Sequence, residues 1–266
     1  MTAASPLPLA GRAVLVTRPA HQSQGLAARL AALGAEPVLF PTISIDALPD
    51  DPRLADAVIR LERFDLVIFA SANAVTHAWP AISTAGGFRP HTRVAAIGKG
   101  TADALGQHGV HDVLTSPTGT DSESLLGLEA LNDVAHRRVA LFSGLGGRTL
   151  LPDTLRKRGA HVTIVPCYVR NVPDGPVDDL VQRLDAGTLD AVTVTSAEGV
   201  RNLFDRLPPG PARRLRSLPH IVNHPRVADA AREQGVTDVT VAGSGDDALA
   251  QAVLHRLHPD CAARPS

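Results

Sequence analysis

Asp65-Leu-Val-Ile-Phe-Ala-Ser-Ala-Asn-Ala-Val75 runs a short apolar stretch into a serine and then into helix-compatible residues. The chain repeats the pattern 125 residues later (65 to 190) as Asp190-Ala-Val-Thr-Val-Thr-Ser-Ala-Glu-Gly-Val200, where Asp, Val, Ser, Ala and Val coincide. Two further pairs hold nearly the same offset. Ala102-Asp-Ala-Leu-Gly-Gln-His-Gly-Val-His-Asp-Val113 matches Ala228-Asp-Ala-Ala-Arg-Glu-Gln-Gly-Val-Thr-Asp-Val239, and Arg12–Pro41 matches Arg138–Pro166 through Gly34-Ala35 and Gly159-Ala160. One such match means little; three in the same order indicate duplication of a supersecondary unit.

The unit itself is alternating strand and helix. Strands are expected at Ala13–Thr17, Leu66–Phe69, Val94–Ile97, Val139–Phe142, Val162–Val165, Ala191–Thr195, His220–Val222 and Val239–Val241. Each is short and almost continuously apolar, as strands covered on both faces are. Helical segments lie between them at Pro19–Leu33, Ala72–Thr84, Gly100–His108, Gly147–Arg158, Ala197–Leu207, Pro225–Gln234 and Asp246–Leu257. Gly109, Gly159 and Gly235 stand where helix C-terminal caps belong. The alternation implies a doubly wound α/β architecture with parallel sheets. Phe40-Pro-Thr-Ile-Ser-Ile45 and Val165-Pro-Cys-Tyr-Val-Arg170 occupy equivalent places and read as two connectors lying side by side between two lobes. A discontinuous parse pairs residues 1–40 with 171–260 and sets 44–166 apart, with connectors near 40–44 and 166–171 and a tail at 261–266. A tandem parse cuts near Ala135. Periodicity alone does not choose.

Composition narrows the function classes. The 266 residues, 44% hydrophobic and 20% charged, suit one large domain or two smaller ones. Lys+Arg 26 against Asp+Glu 27 lacks the basic excess of a general nucleic-acid or membrane-surface binder. The two cysteines, Cys167 and Cys261, make no disulfide framework or metal motif. No apolar run has the ~18–20 residues of a membrane span, and the N-terminus lacks the basic start of a signal peptide. A cytoplasmic protein is the expectation.

Cofactor signatures fail on inspection. Gly144-Leu-Gly-Gly-Arg-Thr149 starts like a dinucleotide loop but ends in threonine, and the next strand lacks the acidic residue that holds a ribose. Gly98-Lys-Gly-Thr101 lacks phosphate-loop spacing. No Gly-x-Ser-x-Gly elbow occurs, and the eleven histidines show no zinc spacing. No metal and no cofactor are expected.

What recurs instead is a small hydroxyl residue where a strand turns into a helix: Thr17, Ser71, Ser143, Thr195 and Ser196, with Thr101 in a comparable turn. In a doubly wound fold these turns line one edge, where helix N-termini present unpaired N–H groups and partial positive charge. Such an edge binds anions with few cationic side chains. Helix capping by the same residues is the competing reading at any one position. Arg18 and Arg148 could clamp carboxylates bidentately. Lys99 lies in the turn with Thr101, and His224-Pro225-Arg226 takes the equivalent turn of the other repeat. Tyr168, the only tyrosine, sits in the second connector, where its phenol could donate to a leaving oxygen or hold a carboxylate, or pack as an amphipathic side chain with a wet tip.

The ordered set Val14-Leu-Val-Thr-Arg-Pro19, Phe69-Ala-Ser-Ala-Asn-Ala-Val75, Ala96-Ile-Gly-Lys-Gly-Thr-Ala102, Asp121-Ser-Glu-Ser-Leu125, Arg158-Gly-Ala160, Cys167-Tyr168 and Thr195-Ser-Ala-Glu-Gly-Val200 resembles the uroporphyrinogen-III synthase family, from about Gly11 to Leu257. The resemblance implies the discontinuous parse, with two related flavodoxin-like lobes, a two-stranded connector and an active site between the lobes. It implies a cyclising hydro-lyase that needs no cofactor. Its substrate is then hydroxymethylbilane, a linear tetrapyrrole with eight carboxylates, which loses water, inverts its terminal ring and closes to uroporphyrinogen III in haem biosynthesis. It also implies that Tyr168 is the family's cleft tyrosine. It leaves Asn223-His224-Pro225-Arg226 as a departure from members that carry a hydroxyl there, with His224 as the substitute donor. A monomer acting on this small molecule, without nucleic acid or membrane, is the expectation. A two-lobed small-anion binding or regulatory protein without catalysis is the alternative.

Overall fold

The computed structural model describes residues 7–48, 51–243 and 245–258; the 261–266 tail with Cys261, and the opening residues 1–6, lie outside them. In chain order the first elements are β1 (Ala13–Val16), α1 (Ala20–Ala32), β2 (Glu36–Leu39), β3 (Ser44–Ala47), α2 (Pro52–Ile59), β4 (Leu66–Phe69) and α3 (Ala72–Thr84). There follow β5 (Arg93–Ala96), α4 (Lys99–Gly106), β6 (Val113–Leu114), α5 (Ser122–Leu126), β7 (Arg138–Gly144), α6 (Leu150–Lys157) and β8 (His161–Asn171). The chain continues through α7 (Asp178–Ala186), β9 (Ala191–Val194), α8 (Ala197–Asp205), α9 (Pro209–Arg216), β10 (His220–Val222), α10 (Pro225–Glu233), β11 (Val239–Val241) and α11 (Asp246–Leu257).

Two compact units result: residues up to Ser44 together with those from Asn171 on, and Ile45–Arg170. The first holds a parallel sheet in the order β11-β10-β9-β1-β2. Numbered along that unit, this is the flavodoxin-like order 2-1-3-4-5. The second holds β3-β8-β7-β4-β5-β6. Its β8-β7-β4-β5-β6 core is parallel and has the same spatial order, with the last two strands of the unit taking the first two places. Thus β7 and β8 correspond to β1 and β2, and β4 and β5 to β9 and β10, as the repeat offsets require. β8 is a single strand of 11 residues that stays paired with β7 as far as Tyr168, past a bulge at Ser143 and Gly144, and ends at Asn171, with β3 beside it as an added edge strand. Residues 40–43 form no strand.

Alternation along each strand explains the unbroken apolar runs. In β1, Ala13 and Leu15 enter one core cluster while Val14 and Val16 enter another. In β4, Val67 and Phe69 face one cluster while Leu66 and Ile68 face the other. Helices cover both faces, so neither set of side chains meets water. In the first unit α1 packs against α11 on one face, and α8 against α10 on the other. In the second, α3 packs against α4 and α5 against α6. A fully buried Leu15 or Ile68 contributes roughly 1.5–3 kcal/mol of transfer free energy.

Candidate functional site

In the first unit the strand order reverses between neighbours β1 and β9. The helix after β1 buries Leu26 and Leu30 in the cluster on one face, whereas the helix after β9 buries Val200, Leu203 and Phe204 on the other. The two chain segments therefore part at their strand ends, which is the switch point where open α/β sheets take ligands. Thr17 directly follows β1, is buried, and donates its hydroxyl to the Thr193 carbonyl at 2.9 Å. Thr42 donates to the Thr17 carbonyl at 3.2 Å, and its own carbonyl accepts from Asn202 Nδ2 at 2.9 Å. Ser196 caps α8 by accepting from the Gly199 N–H at 2.9 Å, which leaves the serine proton directed elsewhere. Thr195 lies half-buried beside it. A Cβ on Gly199 would fall 2.9 Å from both Ser196 Oγ and Thr42 Oγ1, so glycine permits the approach of these hydroxyls.

The second unit repeats the arrangement where β7 and β4 adjoin, with α6 and α3 on opposite faces. Ser71 caps α3, accepting from the Ala74 N–H at 3.2 Å. Ser71 Oγ also lies 3.0 Å from the Tyr168 hydroxyl. Arg170 Nη2 donates to that same phenol at 3.3 Å, and the His77 ring lies tilted against the tyrosine at 5.8 Å between centroids. Tyr168 is only 1% exposed, packed among Phe69, Phe142 and Cys167. The alternative of an amphipathic side chain with a wet tip does not hold, because the phenol finds its partners inside the unit. Burial pushes the neighbouring Cys167 thiol up to about 12, so it stays protonated and inert.

Other expected site residues are differently placed. Ser143 lies within β7 rather than in a turn, and donates to the Gly144 carbonyl at 3.2 Å. Thr101 stands in the first turn of α4, buried, and donates back to the Ile97 carbonyl at 2.8 Å. Lys99 is the first residue of α4, 83% exposed, and pairs with Asp103 at 2.8 Å. Arg148 precedes α6 and faces Glu123 at 3.6 Å. Arg18, 14% exposed, pairs with Asp246 in the first turn of α11. His224 is the exposed cap of α10, its Nδ1 accepting from the Arg226 N–H at 3.1 Å, so only Nε2 can face a ligand as donor. Each unit thus gathers hydroxyls at its own switch point, with Thr101 standing apart after β5, while Arg18, Lys99 and Arg148 are engaged in ion pairs. Thr42, Asn202 and Arg170 escaped the sequence reading. Thr42 matches Cys167 across the repeat, one residue after Pro41 and Pro166. Arg170 follows Tyr168 by two, which in a strand puts both on one face.

A cavity of about 640 Å³, lined by Trp79, Phe88, His91, Arg93 and His108 among others, opens at the start of β5, the opposite edge from these hydroxyls. Among the described residues no group of His, Cys, Asp or Glu could hold a metal ion, and no helix is long and apolar enough to cross a membrane.

Residues 24–250 match the family model described as uroporphyrinogen-III synthase HemD. The chain belongs to the uroporphyrinogen-III synthase family. It is 34% identical over 244 residues to the uroporphyrinogen-III synthase of Salmonella typhimurium, covering 90% of this chain and 99% of that protein. It is 34% identical over 254 residues to the Escherichia coli enzyme, with the same coverage. Among solved structures, a mutant uroporphyrinogen III synthase from the extremely thermophilic bacterium Thermus thermophilus aligns with a TM-score of 0.64 at 22% identity, over 94% of this chain and 99% of that one. The Helicobacter pylori synthetase aligns at 0.56 and 14%, over 92% and 99%. These alignments place the paired α/β units within the synthase fold.

Proposed function

We propose that this chain catalyses the family's cyclising dehydration. Hydroxymethylbilane loses water, its terminal pyrrole ring inverts, and the macrocycle closes to uroporphyrinogen III. Support comes above all from the family match over residues 24–250. The chemistry asks for little more than these strand-end edges supply. The hydroxymethyl group departs readily, because the adjacent pyrrole nitrogen stabilises the azafulvenium cation left behind. Unaided, the chain closes without inversion, so the catalyst must hold one conformation, and positioning alone contributes several kcal/mol. Backbone N–H groups at the starts of α1, α3, α6 and α8 receive substrate carboxylates, with the hydroxyls of Thr17, Ser71, Ser143, Thr195 and Ser196 beside them. Arg18, Lys99, Arg148 and His224 are rim contacts in the same reading, and Thr101, buried and bonded back to Ile97, holds the start of α4 beside them. For Arg18, Lys99 and Arg148, substrate must compete with the carboxylates they already hold. Tyr168 is the source of acid assistance for the leaving hydroxyl. The protein acts as a monomer in the cytoplasm, without cofactor.

The test is to supply hydroxymethylbilane to the purified protein, oxidise the products and separate the porphyrin isomers. The type III isomer is the expected product. Type I alone would reject catalysis and favour a two-lobed anion-binding protein.

A further inference from the structure

We propose that Ser71, rather than the phenol behind it, hands the proton to the departing hydroxyl, and that Arg170 is the positioning residue that sets the direction of this relay. The proposal rests on the synthase reading above and concerns only residues of the second unit.

Tyr168 is 1% exposed, so its oxygen does not itself reach outward. Its two hydrogen-bond partners are Ser71 Oγ at 3.0 Å and Arg170 Nη2 at 3.3 Å. A guanidinium has donors only, so the phenol oxygen must accept from Arg170. Of the two partners, Ser71 alone can accept, and the phenol proton therefore points at Ser71 Oγ. That oxygen also accepts the Ala74 N–H at 3.2 Å as the cap of α3. With both acceptor positions of Ser71 filled from inside, its own proton is turned out, on a half-buried residue at the strand-end edge. The order of donors is thus Arg170, Tyr168, Ser71, then substrate.

The step balances. As the C–O bond of the hydroxymethyl group breaks, the leaving oxygen takes the Ser71 proton and departs as water. Ser71 takes the Tyr168 proton, and the phenolate faces the Arg170 guanidinium. The azafulvenium carbon bonds to the already substituted α-carbon of the terminal pyrrole, the bond from that α-carbon to its meso carbon breaks, and the freed meso carbon bonds to the ring's other α-carbon, which releases its proton and leaves the ring inverted. That proton returns through Ser71 to Tyr168, and the net change is loss of one water.

Steady-state kinetics on single and double variants test the relay. Tyr168→Phe and Ser71→Ala are each expected to lower kcat at least about tenfold with KM within about twofold. The double variant should be no more than about twofold worse than the poorer single one, since both remove one path. Ser71→Thr keeps the hydroxyl and should retain kcat within about threefold. Ser71→Asp caps α3 as well as serine does but has no proton to give at neutral pH, so it should stay as slow as Ser71→Ala. Arg170→Ala should lower kcat and recover on adding guanidinium but not ammonium. A Ser71→Asp variant with wild-type kcat would show a merely structural cap and overturn the relay. So would additive losses in the double variant, or an Arg170→Ala variant with unchanged kcat. If the unmodified protein yields only type I product, the synthase reading itself fails; if it yields type III while Ser71→Asp stays fast, only the relay fails.

Discussion

Gly144 ends β7 against the face of Tyr168, and a Cβ there would lie 2.9 Å from ring atoms Cε2 and Cζ. Since those atoms belong to a buried ring with no room to retreat, Gly144→Ala should displace the phenol from Ser71. The expected cost is about 1–3 kcal/mol of stability, typical of an overpacked core, with a loss of turnover. Thermal melts and a turnover assay check both; a variant with unchanged melting and rate would show that the ring is not fixed here. Cys167, the residue before Tyr168, tests the burial of the site differently. With its thiol pushed up to about 12 by desolvation, it should resist an aromatic disulfide reagent in the folded protein at pH 8 and react only on unfolding. Peptide mapping follows that residue alone, and fast labelling of it in the native state would contradict the packing described.

Among the elements, the strands are the most legible part of the sequence, for a physical reason. β1, β4 and β9 are covered on both faces, so they carry apolar residues at every position or nearly so and stand out without any periodic argument. β2 is hidden because Glu36-Pro37 at a sheet edge does not resemble a buried strand, and β6 because it has two residues. Helices α2, α5, α7 and α9 are also absent from the sequence reading. α2 and α5 are short, and depend on an aspartate cap at Asp51 and Asp121. α9 is strongly basic in its last turn and buries only Pro211, Ala212 and Leu215. The hydroxyl residues at strand ends are visible in the sequence, but their partners are not. Which of them cap, which back-bond and which face outward is decided by backbone positions that no residue pattern prints. Ser196 illustrates the consequence. Ser196→Ala removes the cap of α8 and should cost about 0.5–2 kcal/mol, whereas Ser196→Asp should restore most of it. Urea midpoints decide, and equal stability of all three forms would mean the cap bond is not made.

A second test belongs to β10. His220 is fully buried, donates Nδ1–H to the Leu218 carbonyl at 2.9 Å, and has no partner for Nε2 among the described residues. Burial holds its folded value below the ordinary 6.5, because the charged form would have to leave water. Below that ordinary value the unfolded chain binds a proton that the folded chain does not. Stability should therefore fall as pH drops through about 6.5, by up to ~1.4 kcal/mol per pH unit. His220→Phe, which keeps the stack on Phe204, should remove that part of the slope between about pH 7.5 and 5.5. Identical slopes in urea titrations of the two proteins would contradict the assignment.

At the scale of the molecule, duplication explains why two sheets share one strand order although the second is permuted along the chain. Each unit acquires its own switch point from that order, and each switch point collects hydroxyls and helix N-termini inherited from one ancestral turn. The repeats have since diverged in use: Gly199, Ser196 and Thr42 make a cluster of small hydroxyls in one unit, whereas the matching places in the other hold Ala74, Ser71 and Cys167, with Tyr168 beside them. Offsets of 125 and 126 make the duplication legible in the sequence. They carry no sign of this division of labour, which depends on contacts between residues far apart in the chain.

The central claim, that the strand-end edges receive the tetrapyrrole, is tested most directly by amide hydrogen exchange with and without uroporphyrinogen III under anaerobic conditions. Slower exchange is expected at the starts of α3 and α8, over residues 72–75 and 197–200, and in the turns after β1 and β7. Protection confined to the cavity between Trp79 and His108, with these four turns unchanged, would contradict it.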